Sequence, residues 1–153
     1  MPDEFDLLKA KLSDREWRID HLYKIQDARG QEVQFVRNEA QRAYWENQWH
    51  LNLLLKARQL GMSTLIDMDM LDVCLFNSNT AAGIIDLTLK DAKKKLAKIK
   101  FAYERLPDPL KDAIPLTADN TESIAFGNGS AIEIGMTHRG GTLQVLHLSE
   151  FGP

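Results

Sequence analysis

The stretch Leu51-Asn52-Leu53-Leu54-Leu55-Lys56-Ala57-Arg58-Gln59-Leu60-Gly61-Met62-Ser63-Thr64 decides how this chain reads. Leu51 to Leu55 is a short apolar run, which suits a strand covered on both faces in a parallel sheet. Gly61 punctuates it, and helix-like sequence follows from about Met62 to Phe76. A strand that leads through a glycine-bearing loop into a helix is suited to phosphate, because loop and first-turn amides converge on an anion that the helix dipole favours. The usual phosphate-loop pattern wants glycine where Lys56 stands and lysine where Met62 stands, so the segment departs from it twice. The chemistry itself asks for a cation near the β and γ phosphates, amides around them and a hydroxyl for magnesium. Lys56 or Arg58, the loop around Gly61, and Ser63 can supply all three. An ordinary strand-to-helix turn is the competing reading of the same residues.

Outward from this stretch the chain alternates between strand and helix. Downstream comes a buried-strand candidate, Ala81 to Leu87, then a helix from about Leu89 to Arg105 that ends before Pro107 and Pro109. Ser123-Ile124-Ala125-Phe126 and Ala131-Ile132-Glu133-Ile134 flank an Asn128-Gly129 pair, the preferred centre of a tight hairpin. A last strand, Leu143 to Leu148, runs into Ser149-Glu150. Upstream, Ser13-Asp14-Arg15-Glu16 is a capping-box candidate for a short helix. His21 to Ile25 and Gln31 to Val36 alternate around Asp27-Ala28-Arg29-Gly30 and predict a hairpin. Asn38 to about His50 reads as a helix whose Trp45 and Trp49 share a core-facing side. Strand, helix, strand, helix predicts βαβ units around a parallel sheet, with both hairpins as decorations on that core.

The composition is that of an ordinary globular chain: 153 residues, 44% hydrophobic and 27% charged, with a formal net charge of −3. No basic excess marks a nucleic-acid binder, so any DNA contact has to come from a local patch or from parts of the protein outside this sequence. Lys90, Lys93, Lys94, Lys95, Lys98 and Lys100 make one helix basic, but Leu96 and Ile99 give it a buried side, and a solvated face is the simpler reading. Cys74 is the only cysteine, which excludes an intrachain disulfide and fits a reducing cytoplasm. The acidic start, Met1 to Asp6, does not read as a secretory signal, and no run of roughly 18 apolar residues suggests a membrane span. His21, His50, His138 and His147 show no metal-site spacing, and His147 reads as a satisfied sheet residue.

The last strand strengthens the phosphate reading. An apolar run ending in a carboxylate, Val145 to Glu150, suits a nucleotide hydrolase, where Glu150 can orient and deprotonate the attacking water. At this point the residues resemble a family. Lys56 to Thr64 is similar to the deviant phosphate loop (Walker A) of phage terminase large subunits, in which the lysine moves to the front of the loop. Phe35-Val36-Arg37-Asn38-Glu39-Ala40-Gln41 resembles that family's adenine-recognising segment. Asn128 to Ile132, His138-Arg139-Gly140-Gly141-Thr142, and Leu146 to Glu150 follow in the family's order. The position that usually holds a magnesium-organising aspartate in the Walker B strand is Ser149 here, so metal contact through it would run by way of a bridging water.

The resemblance implies a P-loop NTPase of the class with an additional strand between the Walker A and Walker B strands, binding ATP and Mg2+. Lys56, Ala57, Arg58, Gln59, Leu60, Gly61, Met62, Ser63 and Thr64 would hold the phosphates, Gln41 the base, and Ser63 with Ser149 the metal. Glu150 would be the catalytic carboxylate, Lys56 a catalytic cation, and Arg139 an arginine finger offered to a neighbouring subunit, although a solvated loop arginine is the plainer reading of Arg139. The implied whole protein is a homo-oligomeric motor that packages double-stranded DNA through a portal protein with a small terminase subunit, in the host cytoplasm and away from membranes. Residues 1–36 would form an N-terminal helix and hairpin and 37–153 an incomplete core, a fragment with a gap in the middle of its sheet and without the nuclease domain. A helicase-type DNA-dependent ATPase and a non-catalytic nucleotide-binding remnant are the alternatives.

Overall fold

The computed structural model describes residues 3–52, 54, 61–135 and 142–149. Helix α1 (Glu4–Leu12), unforeseen in the sequence, starts where the Asp3 carboxylate accepts from the Asp6 amide at 2.8 Å. Helix α2 (Arg15–His21) is capped by Asp14, which accepts from the Glu16 amide; Ser13 instead closes α1. The expected capping box is thus corrected by one residue, because a carboxylate at Asp14 competes with the Ser13 hydroxyl for the same free amides. Strands β1 (Lys24–Gln26) and β2 (Glu32–Gln34) form the expected antiparallel hairpin, with Gly30 at φ 77° and Asp27 accepting from the Arg29 and Gln31 amides.

Helix α3 (Glu39–Asn47) carries a complete capping box made by Asn38 and Gln41. It stops short of the predicted end, so Trp45 is buried while Trp49 is 73% exposed, and the expected shared core face is lost. The side chain of Asn52 accepts from the Trp49 amide at 2.8 Å and donates to the Trp49 carbonyl at 2.6 Å. This local turn replaces the strand expected from Leu51: Leu51, Asn52 and Leu54 are not in a strand, and Leu51 is 82% exposed. Leu53 and Leu55 lie outside the described residues.

The rest of the core follows the sequence closely. Helix α4 (Met62–Phe76), strand β3 (Ala81–Ile85) and helix α5 (Leu89–Glu104) fall where periodicity puts them. A short helix α6 (Asp108–Ala113) and strand β4 (Leu116–Asp119) come next, then β5 (Ser123–Phe126), β6 (Ala131–Gly135) and β7 (Val145–Leu148). The five strands form one sheet in the order β4-β5-β6-β3-β7. β3 runs parallel to both β6 and β7, whereas β4, β5 and β6 are antiparallel neighbours. The sheet is therefore mixed, and the β5–β6 hairpin is not a decoration: β6 contributes a ladder to central β3, which no strand-by-strand reading of alternation could reveal. Among the described residues β7 pairs only with β3; the gap expected in the middle of the sheet would lie beyond β7, towards residues 55–60, which are outside the described residues.

One face of the sheet carries Ala82, Ile84, Ile124, Ile132, Ile134 and His147, and α4 and α5 pack there side by side, burying Leu65, Met68, Leu96 and Ile99. On the other face Leu146 and Leu148 are about half exposed. The turn between β5 and β6 reaches back to close α4: the Asn128 side chain donates through Nδ2 to the Cys74 carbonyl at 2.8 Å and the Leu75 carbonyl at 3.2 Å. The N-terminal elements lie against the outer side of α4. There Arg18 donates through two nitrogens to Asp72 at 2.9 Å each, and the Tyr23 hydroxyl donates to the same carboxylate at 2.5 Å. Burial, reinforced by the Asp72 charge, pushes the Tyr23 hydroxyl well above its ordinary pKa, so it stays a donor. Removing one partner of such a pair strands the other charge in the interior. Asp72→Ala is therefore expected to lower unfolding free energy by about 3–5 kcal/mol, read from urea denaturation, and a loss under 1 kcal/mol would contradict this account.

Candidate functional site

Polar side chains are sparse in the interior, and several of them gather at the carboxyl ends of β3 and β7. His147, on β7, faces α4 and its Nδ1 lies 3.0 Å from Asp67 Oδ1, with both side chains almost fully buried. Asp67 Oδ2 is the one buried side-chain oxygen without a hydrogen-bond partner among the described residues. Burial raises the Asp67 pKa; the hydrogen bond and charge of His147, followed by the charges of Lys95 and Lys98, work against that rise. Just beyond His147, the Ser149 amide donates to the Ile85 carbonyl at 2.8 Å, so the β3–β7 ladder continues past the strand ends and brings Asp86 beside Ser149. Asp86 is buried, accepts from the Leu87 amide at 2.7 Å and is paired with Lys95 of α5.

The first turn of α4 reaches the same end of the sheet. The short connection through Asn77–Thr80 reverses the chain, so α4 runs antiparallel to β3 and hence to β7. From the Asp67–His147 contact, Ser63 lies one helical turn back along α4, about 6 Å. Ser149 lies two residues forward along β7, about 6.6 Å in the same direction. The buried pair thus sets Ser63 and Ser149 at one level, and spacing four along the helix puts Ser63 on the face that carries Asp67. Met62 is buried and Thr64 half-buried in the same turn.

Gly61 sits at the N-cap of α4 with φ 73°, in the left-handed region, and no side chain caps the helix. The first-turn amides are accordingly not spent on a capping side chain. A Cβ at Gly61 would meet Gln41 Nε2 at 2.8 Å, and Gln41 itself donates to the Gly61 carbonyl at 2.8 Å while accepting from the Asn38 amide at 2.7 Å. Gln41 thus ties the start of α3 to the start of α4, with both ends of its amide engaged by backbone. Lys56, Ala57, Arg58, Gln59, Leu60, Arg139 and Glu150 lie outside the described residues.

The sequence reading missed Asp67, Asp86 and Lys95. An acid in the apolar run of α4, and another closing the apolar run of β3, were visible as anomalies of pattern. Only the ladder register and the placement of α5 make them neighbours. Among the described residues no group of three or more His, Cys, Asp or Glu side chains is arranged to hold a metal ion by itself, and no helix is long and apolar enough to cross a membrane. Comparison with protein-family models and with curated proteins gives no match for this chain.

Because the Asp67 carboxyl is held above its ordinary value in the folded state, its linkage favours folding below the unfolded-state pKa and is lost as pH rises through the raised one. Asp67→Asn lacks this titration. The stability of the wild-type chain relative to Asp67→Asn is expected to fall as pH rises above about 4, with a slope no steeper than about 1.4 kcal/mol per pH unit. Parallel stability curves for the two proteins between pH 4 and 8 would contradict it.

Proposed function

We propose that this chain is the nucleotide-binding part of an ATP-driven DNA-packaging motor of the terminase large-subunit type, with a core of the P-loop NTPase kind. The observation that carries this reading is the Asp67–His147 contact, which sets Ser63 on the first turn of α4 level with Ser149 at the end of β7. A helix start without a capping side chain, a strand end rich in polar groups, and a hydroxyl between them are what a magnesium–nucleotide complex needs. The order of motifs from Phe35 to Glu150 supports the same reading and selects terminases within the nucleotide hydrolases.

In this reading Lys56 and Arg58 place positive charge on the phosphates, the amides after Gly61 cradle them, and Ser63 meets the metal. Magnesium bound with the nucleotide would neutralise charge between the β and γ phosphates. Glu150, one residue past Ser149, orients and deprotonates the attacking water. Gln41 reads the base edge, and Arg139 is offered to the nucleotide of a neighbouring subunit in a ring. Double-stranded DNA is the substrate moved, with portal protein and small subunit as partners.

Fluorescent-nucleotide binding and phosphate release, with and without double-stranded DNA, test the assignment. Lys56→Ala should weaken nucleotide binding by roughly 10- to 100-fold, the effect of losing a charge-assisted hydrogen bond. Glu150→Ala should still bind nucleotide while its turnover drops by about 10²- to 10⁴-fold. Unchanged binding in the first variant together with unchanged turnover in the second would end the proposal, as would a wild-type chain that binds no nucleotide.

A further inference from the structure

A strand end that faces a magnesium–nucleotide complex ordinarily carries a carboxylate, and here that position is Ser149. A serine hydroxyl carries no negative charge and makes a poor sole partner for a hard divalent cation, which binds through one or two carboxylates together with waters and substrate phosphates. The adjacent strand holds what Ser149 lacks. The Ser149 amide bonds the Ile85 carbonyl, and Asp86 follows Ile85, so the two side chains leave the same end of the sheet from neighbouring strands. Both are buried, and α5, which pairs with Asp86 through Lys95, covers the face that α4 also covers. We propose that Asp86 supplies, from β3, the carboxylate for the nucleotide's magnesium that β7 lacks at Ser149; this rests on the nucleotide-binding reading of the site.

Two observations separate this from a structural role for Asp86 alone. The carboxylate keeps acceptor capacity, since one oxygen takes the Leu87 amide and the other Lys95, and each retains a lone pair. The neighbourhood also keeps an unused acceptor: Asp67, paired with His147 through Oδ1, leaves its buried Oδ2 without a partner, and Lys95, with Lys98, acts on Asp67 as well as pairing with Asp86. A carboxylate held by a flexible ammonium can pass to a divalent cation while the lysine stays beside Asp67. The donor set would then be Asp86, the Ser63 hydroxyl and water held by Ser149.

Manganese, as a spectroscopic stand-in for magnesium, tests this by electron paramagnetic resonance on the full chain with ATP. Asp86→Asn should weaken manganese affinity in the ternary complex at least tenfold while ATP binding measured in EDTA stays within twofold. Lys95→Met, which breaks the same ion pair from the other side, should leave manganese affinity equal or tighter, whereas a purely structural pair predicts that both variants behave alike. Adding Ser149→Asp to Asp86→Asn should restore manganese affinity by returning the carboxylate to β7. If Asp86→Asn does not fold, the double variant Asp86→Asn/Lys95→Met, which removes both charges of the buried pair, decides: it should still weaken manganese affinity at least tenfold. Manganese affinity within twofold of wild type in that double variant, or in Asp86→Asn, overturns the inference and leaves the nucleotide reading intact. A wild-type chain that binds ATP neither in EDTA nor with manganese overturns both.

Discussion

Helix α4 is apolar for most of its length, yet three aspartates divide its contacts among the layers of the molecule. Asp67 turns to His147 on the sheet, Asp72 to Arg18 and Tyr23 of the N-terminal elements, and Asp69 to Arg15 at the partly exposed rim. Burying a carboxylate without a partner would cost several kcal/mol, so each contact constrains as strongly as it joins. The N-terminal elements cannot slide along α4 without breaking the two-pronged Arg18–Asp72 pair, and the sheet cannot slide without breaking Asp67–His147. Arg18 adds a second hold, its guanidinium lying 4.1 Å from the centre of the Phe76 ring. An all-apolar α4 would bury the same surface and leave its register against both layers open.

The consequence for the site is a matter of direction. α4 runs against β3 and β7, so its amino end and the carboxyl ends of those strands open on one side of the sheet. In open α/β sheets ligands settle at the carboxyl ends of parallel strands, where helix starts also converge. The buried Asp67, His147, Ser149 and Asp86 and the half-buried Lys95 fall towards that end, while Ile84, Ile132, Leu65, Leu96 and Ile99 make the rest of the shared helix–sheet interface apolar. At the opposite end of α4 the turn between β5 and β6 spends Asn128 on the last carbonyls of the helix, which is a structural task. Of the two clusters of polar groups at the ends of α4, one is consumed by capping and the other keeps uncommitted capacity.

The same sheet shows how far a local pattern reaches. β5 and β6 form the tight hairpin that Asn128-Gly129 announces, and nothing in its alternation distinguishes a decoration from a sheet member. β6 joins β3 because Ile132 and Ile134 place two large apolar side chains on the face that α4 and α5 cover, where Ile84 already sits. At the other flank Leu51 to Leu55 has a strand's composition, but the Trp49–Asn52 turn takes the start of the run out of any ladder and leaves Leu51 in solvent.

Periodicity and turn chemistry were enough to place α4, β3, α5, β7 and both hairpins, since these depend on a residue's near neighbours: apolar spacing, the Asn128-Gly129 pair, and the turn residues Asp27 to Gly30. The sequence also marked Gly61, Ser63 and Gln41 as belonging to one region, and the Gln41–Gly61 hydrogen bond joins two of them. It did not reveal α1, α6 or β4, whose stretches carry little periodic signal. Nor did it reveal that Asp67 meets His147, 80 residues away, or that Asp86 adjoins Ser149. Those pairings follow from the parallel register of β3 and β7 and from two helices sharing one face of the sheet. Register is a long-range choice, decided by which faces can be buried together, and no window of the chain contains that information.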